Sequence, residues 1–575
     1  MRDIYDAAWQ VVIWLGPEAD DSELATSALR WIAARNRKPN PYDGFYREST
    51  KIDARPFFIM WGTFKSPLKK AVYKALFSYL SRPYWQRMWI LQEVAMARYD
   101  APVVCGKSCL PWRDIYDAAV FISNDESRFG RELVGSTRPR ILDSWSFEFA
   151  RDRAVQEREW SSERMWDLLV DMTNVQRHQK QTTGPQQDSR HPFDVLQPLI
   201  LARDAKITEE KDRVYGILGI KAIADNVHIV PDYTLSLTTI YRDFAAQFLS
   251  KGNLEILRFV SRGCGQIKAQ WALEDVPSAL NHRKIVPVVG PVLNSFSNSD
   301  KEDTVGTTCY HELPTWAVCW TCKPAPTAQL RGQYYAGGTE VVDLPIISPS
   351  DHSLTVKGVV FDTIGSVSSF HPAEVGDDYA QNTIQPSTSA YGSLEATRAA
   401  LWRSIVGDTT AEAGTQASED GAWLLESKIW DQGVAGVYTN GFGLDELMAR
   451  NKKLALCGYT LEQLIFGVDR SRWWQKMRSS DRIYNPTEVQ RSVLSWAMNA
   501  TAWRRLVGTV GGRIGLAPVA ARPSDRVAIL RGCSTPMVLR QSGERWELVG
   551  ECYVHGAMYG EILKGGLEVN DIVLC

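Results

Sequence analysis

The sequence predicts an α+β fold, with a partial α/β layer at the start, a helical middle section and a β-rich C-terminal half carrying helical insertions. Two observations point there. Short apolar runs alternate with helix-type patterns up to about residue 130, the order expected of a parallel sheet with crossover helices. Beyond about residue 260 the texture changes to short alternating segments such as Leu354–Val360, which read as antiparallel strands.

Ile4, Ala7, Ala8 and Val11 stand at helical spacing, and Val11–Leu15 then forms a continuous apolar run closed by Gly16-Pro17, the pattern of a buried parallel strand. Asp20, Asp21 and Ser22 offer caps for a helix to about Arg35, and 36–56 reads as a polar, Pro-rich loop. A helix over Lys69–Tyr79 precedes Ser81-Arg82-Pro83, where Ser caps and Pro enters the first turn of a helix to Met96 or Ala97. Pro102–Gly106 gives a second strand and Trp112–Ile122 another helix. Met165–Val175, Phe193–Leu201, Asp212–Gly219 and Thr238–Leu249 are helical, with Asp212 read as an N-cap. The tract Gly407–Gly421 is poor in large apolar groups and reads as mobile. A helix-rich stretch over 422–506 leads to strands at Val527–Leu530, Met537–Leu539, Trp546–Val549 and Ile572–Leu574. The resulting scheme is 1–130, 131–260, 261–373, a linker at 374–421, and 422–575.

Composition narrows the function. A net charge of −2 gives no electrostatic footprint for nucleic acid, and the 21 Trp have no basic stripe between them. The longest apolar runs are well short of a membrane span. Scattered cysteines and no secretory-type start suit a reducing cytoplasm. Gly106-Lys107-Ser108 lacks the upstream Gly of a phosphate-binding loop, since Ala101 stands there. Cys319-Trp320-Thr321-Cys322 has no second ligand pair nearby, so no metal is expected and packing is the better reading. Gly508–Gly515 reads as turns in a β region.

Four stretches, in order, carry a family resemblance: Ile4–Gly16; Arg82-Pro83-Tyr84-Trp85-Gln86-Arg87-Met88-Trp89-Ile90-Leu91-Gln92-Glu93 with the Cys105-Gly106 and Trp112 that follow; Asp212-Arg213-Val214-Tyr215-Gly216 with Pro231-Asp232-Tyr233; and Gly550-Glu551-Cys552-Tyr553-Val554-His555-Gly556-Ala557-Met558-Tyr559-Gly560-Glu561. Together they resemble fungal heterokaryon-incompatibility (HET) domain proteins. The family's opening strand ending in Trp-Gly and its Cys-Ile-Asn-Gln loop are not found, so the match is expected to start within the HET domain. The resemblance implies a TIR-like layer, a role in non-self recognition leading to cell death, and partners among other HET or incompatibility proteins. It also implies an enzymatic alternative: Glu93 as the catalytic carboxylate of an NAD glycohydrolase, NAD being the substrate. A third reading is an inactive remnant or decoy that binds intact HET domains.

Trp85, Trp89 and Glu93 are spaced i, i+4, i+8, which on one helix places the carboxylate beside two indoles and raises its pKa by desolvation. The competing reading puts Glu93 in water or beside Arg87 or Arg98. His555 is read as a buried hydrogen-bonding group rather than a catalyst.

Overall fold

The computed structural model describes residues 2–36, 70–97, 100–124, 172–173, 175–176, 193–260, 267–268, 304–305, 311–321, 334–338, 343–369, 388–409, 416–425, 438–439, 442–443, 451–466, 490, 493, 496–497, 500–501 and 504–575. The chain divides into two compact units, Met1–Leu237 and Thr238–Cys575. The fold is mixed α+β, with its strands concentrated in the C-terminal half.

In the first unit, α1 (Arg2–Ala7) leads to β1 (Ile13–Trp14), which pairs in parallel with β2 (Pro102–Cys105); β2 turns back antiparallel onto β3 (Ser108–Pro111). The strand, crossover, strand order read from the sequence is therefore present, and β1 ends the three-stranded sheet among the described residues. One feature differs from expectation. Val11, Ile13 and Leu15 are buried, while Val12 and Trp14 are more than half exposed, so the run is covered on one face only. A continuous apolar run tells that both faces are apolar, not that both are covered. Helix α2 (Ser22–Asn36) packs against α3 (Lys70–Leu80) and against α5 (Trp112–Asn124), sealing Ala25, Leu29, Ile32, Val72, Leu76, Ile115 and Ala119.

The helix expected from Pro83 to Met96 is broken. Pro83–Gln86 is a 3-10 turn and α4 is only Ile90–Met96. Between them Arg87 is extended and bridges Lys206: the Met88 amide donates to Lys206 O at 3.0 Å and the Lys206 amide to Gln86 O at 2.6 Å. A tertiary strand-like contact thus displaces local helix propensity. No Ser81 cap forms; Arg82 takes the N-cap position without a side-chain cap bond. The first unit continues with α6 (Phe193–Asp204), α7 (Asp212–Tyr215) and α8 (Lys221–Ala224). Lys211, not Asp212, is the N-cap of α7.

The second unit opens with α9 (Leu237–Ser250) and a 3-10 turn at Leu254–Phe259. Its centre is the 14-residue strand β4 (Leu354–Val367), longer than the sequence suggested. Antiparallel pairs join β4 to β7 (Arg526–Leu530), β7 to β8 (Met537–Ser542) and β8 to β9 (Arg545–Glu551). β9 then meets β11 (Asn570–Leu574) in parallel, and β11 returns antiparallel to β4. The circuit closes on itself, which removes free edges as a barrel does. β5 (Arg504–Thr509) and β6 (Ile514–Pro518) form a hairpin across Gly508–Gly515, the segment read as turns in a β region, and extend the sheet from the far end of β4 to β10 (Tyr553–Val554).

Within the tract read as a linker, α10 (Leu394–Ile405) is capped by the Ser393 hydroxyl and buries Leu401, Trp402 and Ile405. Its apolar face went unread because the flanking sequence is so polar. Residue 36 of the expected 36–56 loop ends α2; residues 37–56, most of Met165–Val175 and 422–506, and residues 410–415 of the Gly407–Gly421 tract lie outside the described residues.

Candidate functional site

The break before α4 rearranges the proposed catalytic face. Trp85 is buried, donates its indole N–H to Tyr79 O at 3.0 Å and packs its ring 6.1 Å from Trp112. Trp89 reaches instead to Asp212 Oδ2, at 3.2 Å. Trp85 therefore leaves the helix that carries Glu93, while Trp89 caps that helix, with its carbonyl accepting the Glu93 amide at 3.1 Å. Glu93 is half-buried and accepts from two phenols: Tyr84 at 2.7 Å on one oxygen and Tyr5 at 3.1 Å on the other. Burial first, and then the adjacent Glu93 charge, pushes the Tyr5 hydroxyl up to about 12 and the Tyr84 hydroxyl higher still. Both tyrosines therefore remain donors at neutral pH, and the carboxylate is oriented by α1 and by the 3-10 turn. Of the partners expected for it, Arg98 lies outside the described residues.

The remaining motif residues of this unit tie segments together. Arg82 spans the loop after β1, donating to Leu15 O at 2.8 Å, Pro17 O at 3.0 Å and Ala19 O at 3.2 Å. Pro83 opens the 3-10 turn. Arg213 donates to Ala202 O, Arg203 O and Ala205 O at 2.9–3.0 Å, covering the carbonyl end of α6. Asp212 accepts from Trp89 on one oxygen and from the Tyr233 hydroxyl, at 2.7 Å, on the other. Tyr215 donates to Asp232 O at 2.8 Å and receives the Asp232 amide at 3.2 Å, with its ring 5.1 Å from Tyr233. The Thr234 hydroxyl and amide hold the exposed Asp232 carboxyl below its ordinary range. Pro231 is exposed at the head of this segment. Gln92 is buried, and a Cβ at Gly219 would lie 1.8 Å from its amide nitrogen, so a side chain there would have to push the Gln92 amide aside.

A second cluster forms in the other unit, around the C-terminal motif. Glu551 accepts from Arg504 at 2.7 Å and from Arg258 Nε at 2.7 Å, with all three side chains at most 4% exposed. Arg258 also donates to Glu255 at 2.9 Å, and Ser534 completes that carboxylate's shell at 2.6 and 2.8 Å. Burial opposes both guanidinium charges. Two carboxylates more than offset it for Arg258, whose pKa rises, whereas Arg504 has Glu551 alone and is shifted down. The strand carrying Glu551 can run close beside β6 because Gly550 adopts φ +150°, with Pro518 and Val260 2.9–3.0 Å from where a Cβ would sit.

Further along, the Tyr553 hydroxyl meets His555 Nδ1 at 3.0 Å, and Tyr391 donates to His555 O at 3.1 Å. Burial pushes the His555 imidazole down. Met558 is buried and its sulfur receives the Val554 amide at 3.4 Å. Gly556 and Gly560 take left-handed φ of 82° and 78°, and Glu561 accepts the Tyr559 amide at 2.6 Å. The Tyr559 hydroxyl, Arg403 and Gln416 all donate to Asp408, at 3.2, 2.8 and 3.0 Å, so the motif is fastened to the α10 segment. Arg258, Glu255, Arg504 and Asp408 were missed in the sequence, since none stands in a recognisable local pattern, and Tyr5, inside the first family stretch, was given no role at Glu93. Tyr84 was named only as a member of the Arg82–Glu93 stretch, without a role at Glu93.

Among the described residues no group of His, Cys, Asp and Glu could hold a metal, and no helix is long and apolar enough to cross a membrane.

Comparisons with known proteins agree with this layout. Residues 1–93 match the family described as heterokaryon incompatibility protein (HET), and residues 381–572 match the Het-6 beta-barrel domain. The closed circuit of strands draws β4 from before that second match. Heterokaryon incompatibility protein 6, OR allele, of Neurospora crassa is 22% identical over 98% of this chain and 78% of its own length. No solved structure matches.

Proposed function

We propose, from the premise that the chain is a fungal HET domain protein, that it takes part in heterokaryon incompatibility, acting in the cell death that follows non-self recognition. The observation that carries this reading is the joint presence of HET and Het-6 barrel regions, in that order, along a chain that a named incompatibility protein parallels nearly from end to end. The cytoplasm is the proposed compartment, and other incompatibility proteins are the proposed partners. The test is gene deletion in the host fungus, followed by fusion with strains of opposing type and vital-dye scoring of the fused cells. Deletion is expected to lower cell death against at least one opposing strain. Unchanged death against every opposing strain contradicts the reading.

A second reading is NAD glycohydrolysis at Glu93. It is favoured by one observation, a half-buried carboxylate whose orientation is set by phenol donors on both oxygens. A preorganised anion of this kind stabilises positive charge developing at a ribose carbon. To reach the ribose it must give up one tyrosine bond. Purified protein would release nicotinamide from NAD, and Glu93→Gln would slow release by about 10²–10³-fold. Absence of release above a blank rejects the enzyme reading and leaves Glu93 as a tie between α1 and the 3-10 turn.

A further inference from the structure

Away from both motif clusters, the loop over His311–Thr321 brings a thiol and an imidazole together. Cys319 Sγ lies 3.4 Å from His311 Nδ1, and neither residue is fully buried. The loop around them is fixed. Trp316 donates its indole N–H to His352 O at 2.8 Å, and Val318 and Trp320, on either side of Cys319, are 2% and 1% exposed. Tyr241, fully buried, sets its ring 6.4 Å from that of His311 and its hydroxyl 2.6 Å from Thr321 Oγ1. A nucleophile with a base within hydrogen-bond reach is the core of an activated thiol, and the Tyr241 ring packs beside that base.

We propose that Cys319, activated by His311, is a site of oxidation by peroxide. The thiol proton passes to His311 Nδ1. The thiolate sulfur attacks one peroxide oxygen; the S–O bond forms as the O–O bond breaks, sulfur is oxidised and peroxide reduced. The departing hydroxide takes the proton back from His311, giving a sulfenic acid and one water. The other described cysteines lack this arrangement. Cys105, Cys457, Cys533 and Cys552 are buried, and burial pushes the Cys457 thiol up to about 12 and those of Cys533 and Cys552 beyond it. Cys575 is half-buried and donates to Trp546 O at 3.4 Å, and Cys109, which is exposed, serves as an internal reference.

The experiment measures, on the full chain, site-resolved alkylation by iodoacetamide between pH 6 and 8.5, and dimedone trapping after peroxide. A thiol activated to near-neutral ionisation reacts about threefold faster than an ordinary one at pH 7 and about sixfold faster at pH 6, once its lower nucleophilicity is counted. Cys319 is expected to exceed Cys109 by those factors and to be the site dimedone labels. His311→Asn is expected to bring Cys319 to the Cys109 rate or below it, with Cys109 unchanged. Labelling of Cys533 and Cys552 would reveal unfolding of that variant, and the pH profile of the unaltered chain then decides alone. A Cys319 rate that rises with pH in parallel with Cys109, and never exceeds it, overturns the proposal.

Discussion

The two motif clusters hold their units together by different physics. In the first unit the ties run between half-exposed groups, and most are uncharged on one side: phenols onto Glu93, an indole and a phenol onto Asp212, guanidinium groups onto carbonyls. In the second unit the tie is ionic and buried, two arginines on one glutamate with a second glutamate behind. Hydrogen bonds open to water exchange one partner for another at little net gain, about 0.5–1.5 kcal/mol each. A buried ion pair contributes little as a pair, but losing one member strands the other, at about 3–5 kcal/mol. Family motifs of similar appearance therefore mark a set of replaceable clips in one unit and a lock in the other.

The comparison breaks most visibly at Glu551. Glu551→Gln leaves Arg258 and Arg504 buried around a neutral amide, with an expected loss of about 3–5 kcal/mol in denaturant unfolding of the second unit. A loss under about 1 kcal/mol would show that water reaches the site. At the clips, Asp212→Ala removes the acceptor for Trp89 and Tyr233, and a loss of about 1–2 kcal/mol in the first unit is expected from the same measurement. The smallest effect is a pH response at His555. Its folded pKa lies below the unfolded value near 6.5, so the folded state favours neutral imidazole. That contribution is complete above pH 6.5 and is lost as pH falls below it. Denaturant midpoints of the second unit measured at pH 7.5 and 5.5 are expected to differ less in His555→Gln than in the unaltered chain.

Several secondary-structure elements were legible in the sequence, and the missing parts share a cause. The parallel pairing of β1 with β2 follows from apolar runs at crossover spacing, and the strands after residue 525 from alternation. The broken helix at Arg87 was not legible, because the partner that extends it, Lys206, lies 119 positions away and carries no motif. Helix periodicity sets Glu93 beside two indoles, whereas its donors are phenols from α1 and from a turn that the periodicity misplaces. Arg258 and Arg504 look like ordinary surface residues until the fold closes around them. Local pattern specifies elements; it does not specify which distant charge completes a buried one.

The central claim, clips in one unit and a lock in the other, is tested most directly by paired double-mutant cycles on unfolding free energy. One cycle combines Glu551→Gln with Arg504→Met, and the other Asp212→Asn with Tyr233→Phe. The account predicts a coupling of about 2 kcal/mol or more for the buried pair and under about 1 kcal/mol for the exposed one. Equal couplings, or a larger one at Asp212 and Tyr233, would contradict it.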